Sequence, residues 1–171
     1  MKLSLRDALF LGFCAVFILV TKAGLRLHLK IPGHSMFFAV FFLMLARGCV
    51  RNGFAATFSG LLAGIMTMIL GMGKGGPLLI IKFLLPGLAV DGMAFLLPGL
   101  FQSLPLCALT AALAGITRFA STYVVDILTG MDPDILMQHI VIQSSGNLIF
   151  GIAGGLLVPP VIRKLKAYGA I

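Results

Sequence analysis

The chain has 171 residues, 60% hydrophobic and only 11% charged, with a formal net charge of +8; a soluble domain carries about 25% charged residues, so lipid is the solvent for most of this chain. Its basic residues are scattered singly between apolar runs without an interleaved aromatic patch, which excludes nucleic acid as a partner. Cys14, Cys49 and Cys107 all sit in apolar segments without paired or metal-ligand spacing, so neither a disulfide framework nor a zinc motif is expected.

A crossing needs about 20 apolar residues, and six crossings leave about 50 for loops and ends. The expected fold class is an all-α membrane protein, a bundle of about six transmembrane helices forming one domain over 1–171. Lys2 and Arg6 precede the first apolar run in the manner of a signal peptide. The run continues to Leu27 without a small-residue cleavage site and reads as a retained helix. The bulky Phe13 before Cys14 argues against a lipoprotein cysteine.

The first segment runs from Leu5 to Leu25 and ends among Lys22, Arg26, His28 and Lys30. Ile31-Pro32-Gly33-His34-Ser35 then interrupts the helix as a structured loop. The second segment, Met36 to Val50, is short or tilted, with Arg47 and Arg51 marking its exit. The third, Phe54 to Met72, carries Gly60 and Gly64, whose spacing lets two helix backbones approach closely in lipid. The fourth, Pro77 to Leu97, holds Lys82, Pro86-Gly87 and Asp91 and is expected to be kinked or broken; Leu-Leu-Pro-Gly-Leu occurs at Leu84 to Leu88 and again at Leu96 to Leu100. The fifth, Leu104 to Leu128, carries Arg118, Tyr123 and Asp126, and Asp132-Pro133-Asp134 separates it from the sixth, Ile135 to Pro160.

Short positively charged loops stay cytoplasmic. Lys2, Arg6, Arg47, Arg51, Arg163, Lys164 and Lys166 gather beside one face, and only Lys22, Arg26, Lys30 and Lys74 beside the other, which puts both termini inside. In that frame Lys82 and Asp126 fall in the outer half, Arg118 nearer the middle and Asp91 deeper.

An ionisable group near the bilayer centre costs about 2.5 to 3.5 kcal/mol on insertion scales, so it normally faces a partner or a water-filled cavity. Lys82, Asp91, Arg118 and Asp126 are such groups, and His139, Gln143 and Asn147 form a stripe on one face of the sixth helix. The same face turns small at Gly151 and Gly155. The pattern points to a polar outer pocket above a tightly packed inner bundle, with His34 and Ser35 over it as a lid. Cationic Lys82 and Arg118 favour a carboxylate or phosphate ligand, while Asp126, His139, Gln143 and Asn147 supply acceptors and orientation. Without tryptophan, stacking falls to phenylalanine or Tyr123. Each residue also has a structural reading: Lys82 snorkelling, Arg118 and Asp126 satisfying each other or interhelical carbonyls, and the stripe as interhelical glue.

Gly71-Met72-Gly73-Lys74-Gly75-Gly76-Pro77 lacks the Ser or Thr and the preceding strand of a phosphate-binding loop and reads as an outer turn. No histidine spacing supports a metal, no nucleophile and base can be shown to converge, and neither a cofactor nor catalysis is expected.

A small six-helix bundle with both ends inside and a shaped outer loop after the first helix resembles the substrate-binding S component of energy-coupling factor (ECF) transporters. Ile31-Pro32-Gly33-His34-Ser35, Ala46-Arg47-Gly48, Gly73-Lys74-Gly75-Gly76-Pro77 and Lys82-Phe-Leu-Leu-Pro86-Gly87 look like segments of uncharacterised members. The resemblance implies a multi-pass plasma-membrane protein that captures a vitamin, precursor or similar solute from outside. It also implies docking on a shared transmembrane coupling subunit that carries two cytoplasmic ATPases. Members meet that partner through small residues on the first helix, typically Ala-x-x-x-Ala; the nearest positions here are Ala8, Gly12 and Ala15, with glycine as a departure. The other readings are a structural or assembly subunit without a ligand and, with least support, a membrane-embedded lipid-modifying enzyme.

Overall fold

Apolar runs punctuated by glycine and proline become helices because lipid offers no partner to backbone N–H and C=O groups, and a helix satisfies them within one segment. The computed structural model describes residues 4–28, 33–72, 76–128, 130 and 133–169, and over 25–28 and 133–139 it describes the backbone alone. Its helices are α1 (Leu5–His28), α2 (His34–Cys49), α3 (Ala55–Ile69), α4 (Leu79–Leu96), α5 (Leu104–Leu128), α6 (Pro133–Leu156) and α7 (Val158–Ala167). Single 3-10 turns at Gly76–Leu78 and Leu100–Gln102 lead into α4 and α5. Four stretches, Leu5–Gly24, Gly76–Leu96, Leu104–Leu128 and Ile140–Ala167, are long and apolar enough to span, and α2 and α3 are shorter apolar helices.

Going round the bundle, the neighbours are α1, α3, α4, α5, α6 and α2, which closes the ring back on α1. Because α2 also touches α3, α4 and α7, it is the best-packed element, with Met36, Val40, Leu43, Met44 and Ala46 all buried. The outward faces are apolar instead: Leu9 is 67% exposed on α1 and Ile149 65% exposed on α6. Only hydrocarbon can cover such a belt, and the chain is a multi-pass membrane protein.

The tightest seam joins α3 to α4. A Cβ at Gly60 would lie 2.6 Å from the Phe83 carbonyl oxygen, and one at Gly87 would lie 2.8 Å from that of Ala56. The glycine pair on α3 is therefore a packing face, met by a glycine from the opposite helix.

Two expectations are corrected. The fourth segment is not broken at Pro86-Gly87, since α4 runs unbroken through Pro86. The second Leu-Leu-Pro-Gly-Leu is what stops it: Leu97 turns extended and Gly99 adopts φ 88°. The sixth segment does not run on to Pro160 as one helix. It stops at Leu156, and Pro159 and Pro160 sit in the first turn of α7, where a missing N–H costs nothing.

Arg6, at the start of α1, Cys49, at the end of α2, Arg51, just after it, and Leu165, on α7, line one cleft. Both termini therefore lie at one end of the bundle. The basic residues Arg6, Arg47, Arg51, Arg163, Lys164 and Lys166 share that end, which the positive-inside rule assigns to the cytoplasm.

Candidate functional site

At the opposite end, α4 enters the bundle where α5 leaves it. Lys82 lies near the start of α4 and Asp126 near the end of α5, and Lys82 Nζ donates to Asp126 Oδ1 at 2.9 Å. Both side chains are 13% exposed, so the pair lies below the surface without being sealed. In that setting each charge offsets the desolvation of the other.

Arg118 belongs to the same group for a reason written into α4. Pro86 has no N–H, so the carbonyl four residues earlier, that of Lys82, loses its helical partner. Arg118 Nη1 fills the vacancy, donating to the Lys82 oxygen at 2.6 Å. This bond lets α4 remain a helix through its proline. The Arg118 guanidinium also lies 4.7 Å from the centre of the Phe83 ring, and Lys22 Nζ from α1 lies 4.7 Å from the same ring. Phe83 is 2% exposed, so these cation–π contacts are made inside the bundle, where they are strongest. Lys82 thus pairs with Asp126, while Lys22 and Arg118 converge on the Phe83 ring beside it in the outer half of the bundle.

A second polar group faces α6. Gly33, in the left-handed region at φ 88°, packs on the backbone of Gly146 and Asn147, so that the entrance to α2 rests on the middle of α6. His34 and Ser35 follow it, both half-buried. Asn147 is buried, and the Gln143 Oε1 is buried without a hydrogen bond among the described residues. Below them Gly151 and Gly155 pack on Ala111 and Cys107 of α5, so the α6 face does change from polar to small. The side chain of His139 lies outside the described residues, as do Ile31-Pro32 of the loop and Gly73-Lys74-Gly75 of the outer turn. Tyr123 is placed elsewhere: it is 38% exposed and stacks with Phe119 on the outward face of α5.

Asp91 belongs to neither group. It lies 1% exposed toward the inner end, where Oδ1 accepts from Ala56 N–H at 3.2 Å and Oδ2 from Thr57 N–H at 2.7 Å and Thr57 Oγ1 at 2.6 Å. A carboxylate on α4 thereby caps the first turn of α3, whose own N-cap residue, Phe54, has no side-chain acceptor. Arg47 Nε stands 3.3 Å from Asp91 Oδ1, close enough to pair electrostatically but off the angle of a hydrogen bond. Sequence reading singled out Asp91 but not its partners, and it placed Lys22 only at the end of the first segment. Phe83 carried no signal beyond its place beside Lys82. Among the described residues there is no group of three or more metal-ligating side chains.

The whole arrangement is similar to a solved structure described as an S component of an ECF transporter, with a TM-score of 0.66 over 98% of this chain and 88% of that one. The fold is that of an ECF-transporter S component. Sequence identity is 19%, and no family model and no curated protein matches the sequence, so the likeness is one of fold. Within this S-component fold the three small positions of α1 separate. Ala8 is exposed, a Cβ on Gly12 would meet nothing within 4 Å, and Ala15 is fully buried in the bundle.

Proposed function

We propose that the chain is the solute-capturing membrane subunit of an ECF-type importer in the plasma membrane, binding a small anionic solute at its outer end. It would deliver that solute through a transmembrane coupling subunit driven by cytoplasmic ATPases. The Lys82–Asp126 pair at 2.9 Å, with Arg118 anchored beside it, carries the reading. Lys82 and Arg118, with Lys22 over the same Phe83 ring that Arg118 covers, make a cationic environment that a carboxylate or phosphate ligand completes. Asn147 and the buried, unbonded Gln143 oxygen on α6 suit a ligand's hydrogen-bonding groups.

Thermal melting of the detergent-solubilised protein against vitamins, their precursors and other small anions tests this. A ligand that binds only the folded state stabilises it by about 2.7 kcal/mol at a hundredfold excess over its Kd. The variant Lys82→Met/Asp126→Leu removes both charges together and so avoids stranding one. It is expected to stay folded and to lose the ligand's shift. The mutual satisfaction of Lys82 and Asp126 favours a second reading, an assembly subunit without a ligand, which predicts a flat panel and a stable complex with a partner.

A further inference from the structure

At the end of the bundle opposite the solute site, a groove of about 690 Å³ lies between the start of α1, the residues after α2 and the outer side of α7. That volume falls in the range of about 300–1,000 Å³ typical of sites for small ligands. Its walls divide by chemistry. Phe10, Phe13, Val50 and Leu165 line the apolar part, and Arg6 and Arg51 the polar part. Arg51 is exposed and forms no ion pair among the described residues. One carboxylate, that of Asp7, is also in the wall, but it is drawn to the helix start, accepting from Ser4 N–H at 3.4 Å while Ser4 Oγ accepts from Asp7 N–H at 3.2 Å.

The apolar wall continues onto the lipid-facing side of α1: Phe13 is 50% exposed and its ring lies 4.3 Å from that of Phe17. Beyond the groove, α7 buries Val158 and Ile162 and turns Arg163, Lys164 and Lys166 outward at the same end. A ligand matching both walls has an anionic head at the level of the arginines and a hydrocarbon chain along Phe10, Phe13 and Phe17. We infer that this groove holds a phospholipid with a net negative headgroup from the cytoplasmic leaflet. Arg6 and Arg51 bind the phosphate, and one acyl chain lies along α1. This assignment is independent of the solute reading, because it involves the opposite end of the molecule.

Native mass spectrometry of the full-length protein in detergent, equilibrated with equal amounts of phosphatidylglycerol and phosphatidylcholine, reads the site directly. Retention of phosphatidylglycerol is expected to exceed that of phosphatidylcholine by about thirtyfold, as two basic contacts to an anionic headgroup provide. Arg6→Gln/Arg51→Gln should abolish the preference, and so should Leu165→Glu, which sets a carboxylate in the groove. Lys164→Gln, outside the groove, should preserve it, and glycerol phosphate without acyl chains should fail to displace the lipid. Equal retention of the two lipids, a preference surviving in both groove variants, its loss in Lys164→Gln, or displacement by glycerol phosphate would each overturn the assignment.

Discussion

Pro86 and Arg118 are a matched pair: one removes a backbone donor from α4, and the other supplies a side-chain donor to the carbonyl left behind. Leaving that buried acceptor unsatisfied costs about 1–3 kcal/mol. Arg118→Leu should therefore lower the melting temperature, and Pro86→Ala should recover part of the loss, because alanine restores the N–H. The double-mutant cycle should show a coupling of about 0.5–3 kcal/mol, and strict additivity would mean that the two residues act separately. Asp91 makes a related prediction at the other end. It accepts three hydrogen bonds beside Arg47, so Asp91→Ala leaves a helix start uncapped and a half-buried arginine without its carboxylate. Thermal melting in detergent should register a loss of about 3–5 kcal/mol.

The helices show where sequence pattern is informative and where it stops. Each segment expected from apolar length appears, and α5 has the expected bounds, because a span is a local property of composition. Lys82 and Asp126 could each be recognised as intramembrane charges, yet they are 44 residues apart and their pairing depends on how α4 sits against α5. Period reveals which face a residue occupies but not what that face meets. Pro86 read locally as a kink or a break for the same reason, since the donor to the carbonyl it leaves unpaired comes from α5. Glycines divide by the same criterion. Gly87→Val places its Cβ 2.8 Å from the Ala56 oxygen and should force α3 and α4 apart, with a large fall in melting temperature. Gly12→Leu enters open space and should leave the isolated protein's stability within about 0.5 kcal/mol of wild type. If α1 docks the coupling subunit, as proposed, that same variant should lose co-purification with it.

For the molecule as a whole, polarity separates along the membrane normal. The outer half holds the Lys82–Asp126 pair and the small loop seated on α6, the middle is closed by glycine-mediated seams, and the inner end carries most of the basic side chains. A bundle so closed in the middle fits the proposed role of holding a solute until an external motor acts on it. The central claim is that solute reaches this site from outside. Single cysteines at Gln143 and Ser35, in a background with Cys14, Cys49 and Cys107 replaced by serine or alanine, leave the Lys82–Asp126 pair intact. In right-side-out membrane vesicles both positions should react with a membrane-impermeant thiol reagent, and a stabilising solute should slow the reaction. Labelling confined to inside-out vesicles, or outside labelling that no stabilising solute slows, would contradict the account.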